Sequence, residues 1–149
     1  MDKPRLSIGC DHGGFDQKTQ LLVWLKEQGF EVIDNGCYSA DRVDYPDFAY
    51  PVAQDVACNA ADFGILVCGT GIGMAIAANK VKGIRAANIT SVDFAKLTRQ
   101  HNDANILTLS GRFTSLDDNK AIVEAFLSTA FEGGRHVQRI AKISKIEER

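Results

Sequence analysis

The chain has 149 residues, of which 45% are hydrophobic and 24% charged, and its net charge is -2. That is one domain's length, sufficient for a core, with no electrostatic reason to expect nucleic acid or an anionic membrane as partner. No apolar run approaches the ~20 residues of a membrane span, and Met1-Asp2-Lys3-Pro4-Arg5 lacks the apolar centre of a signal peptide. The expectation is a single cytoplasmic domain over 1–149. Cys10, Cys37, Cys58 and Cys68 show no pairing pattern or metal spacing, so reduced thiols are expected. Cys10 and Cys58 read as small core fillers.

In chain order, Leu6 to Cys10 reads as a first strand and Asp11-His12-Gly13-Gly14 as a turn. A helix is predicted from Phe15 to Gln28, with Leu21, Leu22 and Leu25 inward and Gly29 as its stop. Alternation predicts a second strand over Phe30–Asp34, and a polar loop runs from Asn35 to Pro46. A helix from Asp47 to Ala60 follows, with Ala53, Val56 and Ala57 inward and Pro51 in or near its first turn.

Ile65-Leu66-Val67 is a buried-strand signature, followed by Gly69, Gly71 and Gly73 and an Ala-rich helix toward Lys80. Ile84–Ile89 reads as a fourth strand. Ser91 is a good N-cap for a helix ending near Gln100, and Ile106–Leu109 is a fifth strand. A helix over Asp117–Phe131 places Ile122, Ala125, Phe126 and Thr129 on one side. Glu132 to His136 breaks the rhythm, and a last helix over His136–Glu148 carries the stripe Val137, Ile140, Ile143 and Ile146. No strand follows it, so the stripe must pack on its own domain or on another subunit.

Strand and helix alternate about five times, which predicts an α/β fold. The sheet is parallel with helices on both faces, and ligands are expected at the carboxyl ends of the strands. Cys68 sits where a strand runs into a glycine turn and a helix. There backbone N–H groups favour anions, and a thiol ionises more readily than a free one. Asp11, His12, Thr70, His101, Asn102 and Arg112 are expected to converge on the same edge. Local readings compete: Asp11 as an Asx turn, His101 as a helix-end cap, Arg112 as a solvated charge. Arg135 and Arg139, four apart, are either a surface feature or a fork for phosphate.

Several motifs fail. The glycine turn lies after the third strand, and Arg85 to Thr90 holds no ribose-binding acid for a dinucleotide. No Lys-Ser/Thr follows the glycines, and Met74 stands where a cysteine phosphatase needs arginine. Three histidines without ligand spacing predict no metal site.

Six segments together resemble the type B ribose-5-phosphate isomerases, within the family that also holds the galactose-6-phosphate isomerase subunits. They are Gly9-Cys10-Asp11-His12, Asp44-Tyr45-Pro46-Asp47, Cys68 to Gly73 with Ala77-Ala78-Asn79-Lys80, Gly83-Ile84-Arg85-Ala86, Arg99 to Asn105, and Gly133-Gly134-Arg135-His136 with Arg139. The resemblance implies a Rossmann-like three-layer α/β/α sandwich with five parallel strands and an extra C-terminal helix.

It also implies interconversion of ribose 5-phosphate and ribulose 5-phosphate without cofactor or metal. In that scheme Cys68 is the base, Thr70 handles hydroxyl protons, His101 opens the ring, and Asp11 assists. The N–H groups from Gly69 through Gly71 to Gly73 hold the enediolate. His12, Arg112, Arg135 and Arg139 bind phosphate. Tyr45 and Asn102 contact substrate, and Asn102 joins His101 from a neighbouring subunit of a homodimer or dimer of dimers. Alternatives are a six-carbon substrate, allose or galactose 6-phosphate, a sugar-phosphate sensor without chemistry, and a redox protein using Cys68.

Overall fold

The structure, a computed structural model, describes residues 2–149. Its strands are β1 (Leu6–Cys10), β2 (Val32–Asp34), β3 (Phe63–Cys68), β4 (Ala86–Asn88) and β5 (Ile106–Ser110). All pair in parallel, in the order β2-β1-β3-β5-β4. Its α-helices are α1 (Phe15–Glu27), α2 (Pro46–Ala57), α3 (Ile72–Ala78), α4 (Val92–Asn102), α5 (Leu116–Ser128) and α6 (His136–Ile146). The sandwich expected from the alternation is present.

Both faces of the sheet are covered, so β1 and β5 are buried along their whole length and β3 from Gly64 onward. Leu6, Ile8, Ile65 and Leu107 pack with Leu21 and Leu25 of α1, Ala95 of α4, and Ile122 and Phe126 of α5. On the other face Leu66 and Ile106 meet Ala49, Val52, Ala53 and Val56 of α2 and Met74 of α3. Two buried charged side chains are tied down. The Arg99 guanidinium lies over the Phe63 ring at 4.7 Å and donates to Asp103 Oδ1 at 2.8 Å and to the Ala104 carbonyl at 2.7 Å. Lys18 reaches Asp34 at 3.1 Å.

Several element ends differ from the sequence reading, each for a local reason. β2 begins at Val32 because the Phe30 N–H bonds to the Leu25 carbonyl and the Gly29 N–H to Lys26, closing α1 in a Schellman motif. α2 starts at Pro46, so Pro51 lies in its second turn. Its inward row is therefore Ala49, Val52, Ala53 and Val56, and Ala57 is exposed. Cys58, expected in the core, caps that helix and is exposed. α3 stops at Ala78, and α4 extends past Gln100 to Asn102, where Asp103 turns left-handed at φ 47°. α5 spans Leu116–Ser128, leaving Thr129 as its C-cap. α6 ends at Ile146, and its stripe stays open: Val137 is 55%, Ile143 44% and Ile146 62% exposed.

The strand order places the site. The chain leaves β1 toward β2 on one side and returns to β3 on the other. The crevice between the carboxyl ends of β1 and β3 is thus the topological switch point, where helices cannot cover the sheet edge. At that edge the turn after β1 runs directly over β3. A β-carbon at Gly14 would lie 2.3 Å from the Val67 carbonyl oxygen. We expect Gly14→Ala to cost about 3 kcal/mol or more, since backbone must separate. Gly83→Ala, at φ 87° with open space around it, should cost about 1 kcal/mol. Urea unfolding of the two variants checks the ranking, and equal losses would contradict the close approach.

Candidate active site

Cys68 ends β3 at the switch point and is 5% exposed. The chain after it doubles back at Gly71, which has φ 83°. A side chain there would stand 2.4 Å from Asn88 Oδ1 and 2.9 Å from the Leu109 carbonyl, so glycine is required on two counts. The doubling back directs the Gly71 N–H at Cys68 Sγ, 3.1 Å away. A thiolate accepts such a bond better than a thiol does. The Ile72 N–H is taken up by Thr70 Oγ1 at 3.1 Å. The N–H groups of Gly69, Thr70 and Gly73 have no partner among the described residues. Two of the five donors expected from the glycine turn are therefore committed internally, and three remain open.

Around this turn the structure assembles much of the expected set. Asp11 caps the 3-10 turn His12–Gly14, its Oδ1 accepting from the N–H groups of Gly13 and Gly14 at 2.9 and 3.2 Å. The Asx-turn reading of Asp11 is thus correct for one oxygen, and this fixes the carboxylate at the crevice. His12 Nδ1 accepts from the Val43 N–H at 3.2 Å, which leaves the proton of a neutral ring on Nε2. The Tyr45 ring lies over Gly73, within 2.8 Å of where a β-carbon would be. The Arg112 Nη1 stands 3.4 Å from the corresponding point at Gly69, so this guanidinium lies against the start of the glycine turn. Nearby, Thr70, Ile72, Asn88, Ser110 and Phe113 line a hollow of about 350 Å³.

The remaining residues do not join them. His101 and Asn102 were expected at the carboxyl edge of the strands. They end α4, which runs antiparallel to the strands, so they lie at the opposite edge. Arg99, two residues earlier, stacks on Phe63, the first residue of β3. Cys68 ends that strand five residues on, about 16 Å away at ~3.3 Å per residue. Arg135 and Arg139 belong to the same far end. Arg135 caps α6 and Arg139 lies in its first turn. His101 and His136 stack there, ring centroids 4.7 Å apart and 20° between planes. Glu132 Oε1 is 3.4 Å from His101 Nε2 and 3.9 Å from His136 Nε2. Burial first, then the charge of Arg135, holds the His136 imidazole below its usual value, with Glu132 opposing.

Asn88 and Ser110 escaped the sequence reading because each lies within or at the end of a strand-like run, with no motif to mark it. Ser110 Oγ donates to the Gly69 carbonyl at 2.7 Å and accepts from the Phe113 N–H at 2.9 Å, tying the exit of β5 to the glycine turn. The grouping of Glu132 with the two histidines was also missed, since 35 positions separate His101 from His136. Cys10 does behave as core. It is fully buried 3.6 Å from Cys37 Sγ, and burial pushes its thiol up.

A family model described as Ribose/Galactose Isomerase matches residues 6–143. Ribose-5-phosphate isomerase B of Escherichia coli (strain K12) is 48% identical over 145 residues, spanning 97% of both chains. The solved structure of ribose-5-phosphate isomerase B from Clostridium thermocellum superposes with a TM-score of 0.95 at 49% identity over 97% of both chains. That from Mycoplasma genitalium, with bound ribulose-5-phosphate, gives 0.94 at 47% identity, again over 97% of both.

Ser110→Ala strips the half-buried Gly69 carbonyl and the Phe113 N–H of their partner. We expect a loss of about 1–3 kcal/mol in urea unfolding. A neutral change would mean that Ser110 does not brace the turn.

Proposed function

The chain belongs to the ribose/galactose isomerase family, and from that membership and the glycine turn we propose that it interconverts ribose 5-phosphate and ribulose 5-phosphate. The observation that carries the chemistry is the Gly71 N–H aimed at Cys68 Sγ beside three open N–H groups. Moving a hydrogen between C1 and C2 of an open-chain sugar needs a base on one face and an anion cradle for the enediolate oxygens. Cys68 as thiolate takes the C2 proton and returns it to C1. The N–H groups of Gly69, Thr70 and Gly73 receive the developing oxyanion. Thr70 Oγ1 already accepts from Ile72, so its own O–H is free to pass hydroxyl protons. Asp11 holds a sugar hydroxyl, and Tyr45 walls the crevice. No step calls for a cofactor.

Ring opening and phosphate binding need a second copy of the chain. His101, Asn102, Arg135 and Arg139 lie at the amino edge of the sheet, while Cys68, His12 and Arg112 lie at the carboxyl edge. A two-fold homodimer that sets one copy's amino-edge residues against the other's crevice completes both sites at once. The phosphate is then gripped by His12 and Arg112 of one copy and by Arg135 and Arg139 of the other. His101 serves as acid and base at the ring oxygen through its Nε2. The open stripe on α6, with exposed Ile72 and Ile76 on α3 and Phe94 and Leu97 on α4, supplies apolar surface of the kind buried between subunits. Reduced, unpaired cysteines accord with a cytoplasmic setting.

The direct test is isomerisation of ribose 5-phosphate, allose 6-phosphate and galactose 6-phosphate by the purified protein. Turnover is expected to be fastest on the pentose, and a preference for either hexose would overturn the substrate assignment. The shared site has its own test. Cys68→Ala and His101→Ala homodimers should each lose about 10²–10⁴-fold in kcat. After unfolding and refolding together, hybrids carry one intact site, and about a quarter of the activity should return. No recovery would mean that each site draws both residues from one chain and would overturn the shared site.

A further inference from the structure

We propose that His101, Glu132 and His136 form a binding site for a divalent transition ion of the Zn²⁺ type, and that its occupation silences His101. The second half rests on the ring-opening role proposed for that residue, and the first does not.

Three donors of the right kind converge. His101 Nε2, His136 Nε2 and a Glu132 carboxylate oxygen lie within 4.8 Å of one another. Two of the separations are 3.4 and 3.9 Å. Metal bonds of ~2.0–2.2 Å in a tetrahedral site set donors about 3.3 Å apart. Side-chain movements below about 1 Å would therefore close the set around an ion. Two imidazoles and one carboxylate leave a fourth position open, the arrangement of sites that keep a water or exchange ligands.

A second observation points the same way. His136 is 6% exposed, and its Nε2 is buried with no hydrogen-bond partner. Buried polar atoms of this kind find partners in most folds, and one without a partner calls for a reason. This nitrogen faces the Glu132 carboxylate across 3.9 Å, beyond hydrogen-bond reach but on the perimeter of the space an ion would fill.

The surroundings narrow the kind of ion. Arg135 and Arg139 also act on His136 and oppose a cation, while Glu132 supplies one negative charge in return. Hard ions such as Mg²⁺ and Ca²⁺, which rely on several anionic oxygens, are disfavoured. Ions that gain from imidazole nitrogen, Zn²⁺, Ni²⁺ and Cu²⁺, are favoured. Binding releases any proton held on either Nε2 to solvent. The His101 Nε2 lone pair is then committed to the metal and is withheld from the sugar ring.

The test uses the full chain treated with chelator and titrated with Co²⁺ as an optical probe. One Co²⁺ per chain is expected, with visible bands and no thiolate-to-cobalt charge-transfer band, since the site contains no sulfur. Glu132→Gln and His136→Gln should each weaken binding at least tenfold, in line with the 10–100-fold cost of losing even an outer partner of a metal ligand. Glu132 is 51% exposed at its side chain, so its variant folds even if the other does not. A thiolate band, absence of binding, or unchanged affinity in Glu132→Gln would each overturn the site.

In the activity arm, Zn²⁺ should inhibit isomerisation reversibly. Glu132→Gln should need at least about tenfold more Zn²⁺ for half-inhibition relative to its own uninhibited rate. Unaltered inhibition in that variant would sever metal binding from His101. Cobalt binding to a protein without isomerase activity would instead remove the proposed function and leave the site standing.

Discussion

The structure depends on a bare contact at the carboxyl edge of the sheet. There the exits of β1, β3 and β5 lie against one another with no side chain between them. A β-carbon at Gly14 would meet the Val67 carbonyl at 2.3 Å, and one at Gly111 would meet the Gly13 carbonyl at 2.8 Å. This closeness brings Asp11, Cys68 and Arg112 from three strands into one crevice. It is reinforced from below by Asn119 Nδ2, which donates to the Ser110 carbonyl at 2.9 Å and to Gln17 Oε1 at 2.7 Å. Gln17 in turn holds the Gly111 and Thr114 carbonyls. The reactive loops are thus anchored by polar side chains of α1 and α5, elements otherwise occupied with the apolar core.

The same packing separates two kinds of cysteine. Cys10 ends β1 as Cys68 ends β3, and the two strands are neighbours in the sheet. Cys10 points into the core beside a second thiol, where burial favours the neutral form. Cys68 lies at the start of a turn that donates an N–H to its sulfur. Both thiols are buried, and their neighbours set them apart: Cys10 lies against the Cys37 thiol, whereas Cys68 opens onto the glycine turn. A redox role for Cys68 finds no support in this geometry, because the closely spaced pair is Cys10 with Cys37, sealed in the core.

The molecule carries its polar machinery at two ends. Asp11, His12, Cys68, Arg112 and the open N–H groups of the glycine turn gather at the carboxyl edge, while His101, His136, Arg135 and Arg139 gather at the amino edge around Glu132. A parallel sheet holds these ends apart by the length of its strands. The symmetric pair of chains proposed above would resolve the separation, since each end would then face its complement. The exposed apolar residues on α3, α4 and α6 lie on the elements that such an arrangement would use.

Much of this was legible in the residue order. Alternating apolar runs announced five strands, Ser91 announced a helix start, and the strand-glycine-helix sequence at Cys68 announced a turn with open N–H groups. These are local properties, set by propensity, capping and the period of apolar residues. On α2 Ala53 and Val56 face inward as the periodicity predicts, while Ala57, in phase with them, is exposed because it is the helix's last residue. The edge on which His101 lies was misjudged for a different reason. A helix between parallel strands must run back the other way, so its last residues return to the amino edge, and only the assembled sheet makes that reversal plain. The sequence by itself determined which groups the protein possesses and the local turns that present them. Tertiary structure alone decided which groups meet, because convergence depends on strand order, helix direction and close backbone approach, none of which is encoded within a window of neighbouring residues.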